Sequence, residues 1–577
     1  MAETSTKRKQ QQKQALIRLL IMAAILICIN LLAFNFNFNI DLTKEKRFTL
    51  SQPTKTMLRN MKDVAVIDVY LKGTFPAGFK KLQEATQQKL RSFKEYAGNH
   101  IVFRFIDPFE GKSQEEKDKF FADMMEKGIT GVSLHENGDE SSSEKIIFPW
   151  AIVHYYGKEM AVNLLENHLG MSSLGKLNTS EALLEYKFAN AINKLTNPDK
   201  KRVAYIMGNN ESLGYNTIDA LLSAARVYHL DTIDLRHSIG ISRAYDAIII
   251  NKPKTAFSDT DKFKIDQYIM YGGHALWYID ALNASMDSFQ RSEQFIAMDM
   301  GLNLDDMLFK YGVRINNDLI EDMQCEQIPL AQEGYVNSNG QPQLQLRDWM
   351  YFPVFTPGSH HPIVNNMGAI LGKFVSSMDT IADPNITKTI LLQSSNYSRV
   401  EASPVRVNLA MASHHMREEM FHNPYKPAAV LLEGKFSSIF RNHLAPAFIR
   451  VLRDSFKTPF KENCDTTNSM IVVSDGDMIS NDFSRNGPYE MGYWQYSDAT
   501  YANKNFFLNC LEYLTDHSGL LETRSKDLRL RLLDGGRVKN EKLQWRIINI
   551  GLPIVLVLIF ASCYTFFRKR RYEKAPE

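Results

Sequence analysis

Five stretches of this 577-residue chain carry side chains at spacings that could do chemistry. Gly170, Gly175 and Lys176 fall in the order G-x-x-x-x-G-K, the spacing at which backbone N–H groups and a lysine cradle the phosphates of a nucleotide. Leu177, however, stands where a Ser or Thr hydroxyl would hold Mg²⁺, and no parallel-sheet strand leads into the segment. It reads as a flexible connection between domains. Asp475-Gly476-Asp477 follows the apolar run Met470–Val473, with Asp482 close behind. Carboxylates at the carboxyl end of a strand could hold a divalent cation or a phosphate. Because acidic glycine turns after strands are so common, a structural turn is the expectation. Gly208, Asn209, Asn210 and Glu211 follow another apolar run, at the place where an open parallel sheet would receive a ligand, and they are the candidate ligand-binding residues. The pairs His360-His361 and His414-His415 are adjacent in sequence, so on a strand their rings point to opposite faces and neither pair chelates by itself.

Nucleophilic chemistry finds no support. None of Cys325, Cys464 and Cys510 lies in a G-x-C-x-G context, and no G-x-S-x-G occurs. These three cysteines form neither a metal-ligand pattern nor a disulfide framework, and no disulfide is expected among them. Neither catalytic residue, cofactor nor metal is therefore expected.

The elements that position these residues are those of an α/β protein. From about 43 to 169, alternation at Val64–Leu71 and Ile101–Ile106 predicts strands, and the spacing at Lys80–Ala97 and Glu115–Lys127 predicts helices. Strands follow at Val132–His135, Trp150–Tyr156 and Glu159–Leu164, with a solvated loop at Asn137–Glu144. The order β-α-β-α-β-β resembles the thioredoxin fold, and Pro149 precedes a strand where that fold keeps a proline. The unit holds no cysteine, so the resemblance implies a scaffold without redox chemistry. A helix at Ser180–Leu195 leads into a second unit, 180 to 310. There nearly continuous apolar strands (Arg202–Met207, Asp231–Leu235, Ala247–Ile250, Ala275–Ile279) alternate with helices (Thr217–Tyr228, Asp261–Tyr271). That alternation predicts a parallel sheet covered on both faces, of flavodoxin or amidotransferase type. Asp280 is expected to bond the turn that follows it. From 311 to 535 the pattern is a strand-rich continuation, with strands at Lys388–Leu392, Ala428–Leu432 and Met470–Val473 and a late helix at Lys504–Leu514.

The ends decide the class. Apolar runs at 15–34 and 547–567 are each about 20 residues, the length that crosses a bilayer core. The flanking tails, 1–14 and 568–577, are basic, with Lys7, Arg8, Lys9 and Lys13 at one end and Arg568, Lys569, Arg570 and Arg571 at the other. The positive-inside rule places both termini in the cytoplasm and the body on the periplasmic side of an inner membrane. No small-x-small cleavage site follows the first run, which argues against a removable signal peptide. The Asn-Phe alternation at Phe34–Asn39 suits a helix emerging at headgroup level. The net charge of +3 suggests no nucleic-acid partner.

The segments RVAYIMGNNE (Arg202–Glu211) and DAIIINKPKTAFSDTDKFKIDQYIMYGGHALWYIDAL (Asp246–Leu282) resemble the auxiliary extracytoplasmic components of bacterial ABC transport systems, and in particular the gliding-motility GldG family of Bacteroidota. Leu184–Thr196, Tyr311–Asp322, Ser359–Val364 and Asn503–Leu533 carry the same resemblance. The family usually reads Gly-His-Gly-Glu where this chain has Gly208-Asn209-Asn210-Glu211, so no role of that histidine transfers. The resemblance implies a non-catalytic subunit beside an ABC permease and a separate cytoplasmic ATPase. A receptor for a polysaccharide or peptide ligand is the alternative.

Overall fold

The computed structural model describes residues 16–28, 30, 49–525 and 535–572, except 74, 138–141, 167–168, 170–171, 198–199, 291, 337–341, 414–415, 455–457, 486 and 517. The chain divides into two units, Met1–Asp527 and Leu528–Glu577.

In the first unit, helix α1 (Leu16–Cys28) is apolar but too short by itself for a bilayer core. The rest of the span expected at 15–34 falls largely outside the described residues, as does Phe34–Asn39. Helix α2 (Gln52–Arg59) starts at Ser51, whose hydroxyl accepts from the Thr54 N–H. A four-stranded sheet follows, in the order β2-β1-β5-β6, from β1 (Ala65–Val69), β2 (Ile101–Phe105), β5 (Trp150–Tyr155) and β6 (Lys158–Asn163). Strands β1 and β2 are parallel, joined through α3 (Ala77–Ala97). The β5–β6 hairpin turns at Tyr156 and Gly157, both at positive φ, which matches the twist of the strands. Helix α4 (Gln114–Glu126) opens on a reciprocal Ser113–Glu116 capping box. The loop expected at Asn137–Glu144 is shorter than its polar composition suggests. Ser142–Ile147 forms β4 and pairs with β3 (Val132–Asn137), the partner strand overriding a weak intrinsic preference.

Helix α5 (Ser173–Thr196) starts two turns before the expected Ser180, because Ser172 accepts from the Gly175 N–H and caps it there. Leu184, Phe188, Ile192 and Leu195 form one face and pack into the core of the four-stranded sheet. Tyr186, Asn190 and Lys194 recur every fourth residue on the other face, which turns away from that core.

The larger sheet begins with β7 (Arg202–Met207), β8 (His229–Asp234), β9 (Ala247–Asn251) and β10 (His274–Tyr278). A long hairpin, β11 (Cys325–Val336) and β12 (Pro342–Pro357), and the strands β13 (Ile386–Gln393), β14 (Pro427–Gly434) and β15 (Asn468–Val473) complete it. The order is β11-β12-β13-β14-β15-β10-β9-β7-β8, with Ile370–Leu371 pairing β12. Strands β8, β7, β9, β10 and β15 are mutually parallel, an arrangement of 2-1-3-4-5 in chain order, while β11 to β14 extend the sheet antiparallel. Helices α6 (Ile218–Val227) and α10 (Asn503–Thr515) share a core on one face. Helices α7 (Asp259–Met270) and α8 (Asp305–Tyr311) share one on the other. Gly272 closes the turn after α7 at φ +94°, and a side chain at Gly273 would collide with the Tyr268 ring. Helix α9 (Pro446–Asp454) contributes no buried residue.

The second unit is helix α11 (Gly535–Tyr572), which contains the expected span at 547–567. Its stretch Leu543–Arg570, 28 residues with a strongly apolar middle, is long and apolar enough to cross a membrane.

Candidate functional site

Strand order 2-1-3-4-5 reverses direction between β7 and β9, and an open α/β sheet takes ligands in the crevice outside the carboxyl ends at that reversal. Gly208–Glu211 leaves β7 there, and Asn251-Lys252 leaves β9. Gly208, at φ +136°, lets the chain pass Asp234 and Leu235 closely, and Asn210 adopts φ +58°, which an Asn tolerates. The loop is zipped to its neighbour. The N–H groups of Lys254 and Thr255 donate to the Asn209 carbonyl at 2.8 and 3.2 Å, and Asn209 Nδ2 donates to the Ala256 carbonyl at 3.0 Å. Glu211 is buried, and its Oε2 accepts from the Asn209 N–H at 2.7 Å. Its other oxygen, Asn209 Oδ1 and both side-chain polar atoms of Asn251 are buried with no hydrogen-bond partner among the described residues.

Burial raises the Glu211 pKa above the usual carboxylate value. The folded chain therefore holds this proton more tightly than the unfolded one, so the ionised form detracts from stability at neutral pH. That penalty fades as pH falls through the folded pKa towards the unfolded value near 4.5. Glu211→Gln is accordingly expected to unfold at a higher temperature than the parent at pH 8. The difference between the two melting midpoints should shrink towards pH 5.

The carboxyl ends of β9, β10 and β15 hold a largely buried ionic cluster. Lys252, at φ +49°, lays its Nζ 3.1 Å from Asp280 Oδ2 and 2.5 Å from Asp477 Oδ1. The expectation that Asp280 bonds its own following turn is corrected: its Oδ1 accepts the Gly476 N–H at 2.5 Å, from the turn after β15. Asp475 is fully buried and accepts from the N–H groups of Asp477 and Lys373 at 2.7 and 2.8 Å. Burial works against the Lys252 ammonium, but Asp280 and Asp477 outweigh it and its pKa lies above the usual lysine value. Asp475 titrates well above the usual range through burial and the Asp477 and Asp280 charges. Asp477 titrates below the usual range, because Lys252 overcomes its desolvation. One ammonium thus sits among three carboxyl groups, with Asp475 and Asp280 shifted upward by burial and Asp477 held down by Lys252. Gly476 must lack a side chain, since a Cβ would meet Lys252 at 2.7 Å.

The other sequence candidates are dispersed. Gly175, Lys176 and Leu177 lie in the capped first turns of α5, so the flexible connection read from the phosphate-loop spacing is helical there; Gly170 lies outside the described residues. Leu177 packs against α3 so closely that a Cβ at Gly78 would strike it. His361 is edge-on to the Tyr513 ring, and burial lowers its pKa; His414 and His415 lie outside the described residues. Cys325, Cys464 and Cys510 are free thiols. Among the described residues no group of three or more His, Cys, Asp or Glu side chains is arranged to hold a metal. Lys252 and Lys373 escape a motif search; the one signal for Lys252 is a charge placed directly after the apolar strand AIIIN.

A family model described as an ABC-type uncharacterized transport system matches residues 200–510, and a model for a domain of unknown function matches 44–154. An uncharacterized protein of Borreliella burgdorferi is 21% identical over 547 residues, covering 92% of this chain and 93% of its own length. Among solved structures, the mmIFT52 N-terminal domain covers 54% of this chain and 97% of its own at 11% identity and a TM-score of 0.29. A putative ThuA-like protein from Parabacteroides merdae covers 55% and 90% at 8% identity and 0.26. Scores of this size carry no argument about fold. The transport-system model spans more than half of the sequence, and the chain belongs to that family: it is an accessory component of an ABC-type transport system.

Proposed function

We propose that this protein is a non-catalytic, membrane-anchored subunit of an ABC transporter, of the gliding-motility GldG kind, that couples a periplasmic body to a permease and a separate cytoplasmic ATPase. The observation that carries the reading is the ion-paired cluster beside the switch-point crevice. At the carboxyl ends of β9, β10 and β15, Lys252, Asp280 and Asp477 satisfy one another instead of standing free for chemistry. In this reading both termini are cytoplasmic, with spans at 15–34 and 547–567. The body comprises a thioredoxin-like unit at 43–169, a flavodoxin-like unit at 180–310 and a strand-rich continuation at 311–535. A body held at both ends can pass conformational change between the membrane and its periplasmic contacts.

Affinity purification of the tagged full chain from native membranes in mild detergent tests it. A permease and an ATPase are expected in stoichiometric yield, and consistent recovery as a lone monomer overturns the proposal. The alternative, a periplasmic receptor for a polysaccharide or peptide, draws on the unpartnered buried atoms of Asn209, Glu211 and Asn251 beside Gly208 and Asn210. A ligand-induced rise in the melting midpoint that disappears in Asn209→Ala and Glu211→Ala variants would favour it.

A further inference from the structure

Helix α9 stands apart from both cores. Around it Ala447, Phe448, Ile449, Val451 and Leu452 occupy one contiguous arc, and Arg450, Arg453 and Asp454 the other. Phe448 and Val451 are 43% and 44% exposed, and no residue of the helix is buried. Its hold on the body includes a ring contact of Phe448 with Phe263 of α7, 5.7 Å between centroids, in a cluster with Phe440 and Phe460. A helix this short is marginal in water without an apolar surface to pack on. A cleft of about 1,110 Å³ with a mixed lining, which includes Phe309, Phe440 and Leu444 beside Asp259, Asp305 and Asp306, is walled by α7, α8 and the segment leading to α9. Phe309 on that wall is 51% exposed.

The charges indicate what covers this face. From Arg441 to Asp454 the sequence RNHLAPAFIRVLRD contains three arginines, a histidine and one acidic residue, Asp454. Arg453 pairs with Asp454 at 2.8 Å and Arg441 with Glu462 at 3.4 Å, both exposed pairs, and Arg450 faces solvent. Arginines on the polar arc of a short helix with Phe, Val and Leu on the other arc are the pattern of a helix lying in the plane of an anionic bilayer surface. The body is covalently tied to a helix able to cross the membrane, so such a surface is always at high effective concentration. We propose that α9 is an interfacial contact that inserts Val451 among anionic phospholipids, with Phe448 remaining against Phe263 and its arginines at headgroup level.

Spin labelling of the full chain in vesicles tests this. Val451→Cys is the probe and Leu222→Cys, exposed on α6 over the opposite face of the sheet, is the control; the parent has Cys28 and Cys563 replaced by Ser, and its own signal is subtracted. In phosphatidylglycerol–phosphatidylcholine vesicles, the ratio of oxygen to nickel-chelate collisions at 451 should be several-fold higher than at 222. That excess should vanish in pure phosphatidylcholine and in the R450E/R453E variant. Free chelate access at 451 in the anionic vesicles overturns the proposal. So does shielding of 451 from both reagents, which would mean that protein covers this face.

Discussion

Replacing Lys252 by Met is expected to destabilise the folded body by about 3–5 kcal/mol at pH 7, the usual cost of leaving buried charges without their counter-ion. Asp280 and Asp477 both face the Nζ, and the buried Asp475 is close enough to feel their charges. Once the ammonium is gone, all three titrate upward under desolvation and mutual repulsion, so the deficit is largest at alkaline pH and shrinks as acid neutralises them. The sign is specific to the variant. In the parent, the raised Lys252 pKa gives a contribution fully present below the unfolded lysine value and lost only as pH rises through the folded value, so it is constant from pH 5 to 9. Denaturant melts of the full chain in detergent at pH 5 and pH 8 measure the difference. Lys252→Gly separates charge from backbone. Position 252 lies at φ +49°, where glycine is at ease, yet the glycine variant should be about as unstable as the Met one if charge dominates. Combining K252M with D280N and D477N should recover most of the loss.

The second large effect is expected at Glu512. This carboxylate, 4% exposed on α10, accepts from the Tyr186 hydroxyl at 2.9 Å and Asn190 Nδ2 at 3.0 Å, with Lys194 Nζ at 3.4 Å. Arg524 lies over the Tyr186 ring at 4.9 Å, and Asn365 and Asn366 donate to the Arg524 carbonyl. The polar face of α5 is thereby fastened to the larger sheet while its apolar face belongs to the smaller one. Glu512→Ala strands a buried hydroxyl, an amide and a lysine together, and a loss of about 3 kcal/mol is expected. Glu512→Gln keeps the shape and one acceptor and should lose less than half of that. Hydrogen exchange distinguishes this junction from ordinary core damage. In the Ala variant, amides of α5 from Tyr186 to Thr196 should exchange faster than those of β9 and β10. If the body transmits movement from the membrane, a transport assay in cells should fail in E512A at temperatures where the protein is still folded.

Much of this architecture is legible in the residues. Apolar strands alternating with 3.6-period helices at 202–282 become β7, β8, β9 and β10 with α6 and α7 between them, displaced by a residue or two at most ends. Leu177 and the lack of a strand leading into Gly170 argued against the phosphate loop, because no rearrangement gives a leucine a hydroxyl. The apolar run at 547–567 lies within a helix able to cross a membrane, since bilayer thickness converts directly into residue count. Local chemistry decided these features, and local chemistry is what a sequence displays.

The rest depended on pairings between distant residues. No pattern in Met470–Val473 says that it enters the sheet beside β10, yet that insertion brings Gly476 to Asp280, 196 residues away, and Asp477 to Lys252. A lysine after a strand reads as a solvated charge until three carboxyl groups from two other strand ends surround it. Tyr186, Asn190 and Lys194 likewise read as the wet side of a helix until Glu512 arrives across 318 to 326 residues. Sequence by itself therefore determined that the chain is an α/β protein with an apolar segment that can cross a membrane. Only the tertiary structure decided that Lys252, Asp280 and Asp477 pair with one another at the strand ends, because burial and charge pairing belong to the space between elements and not to any one of them.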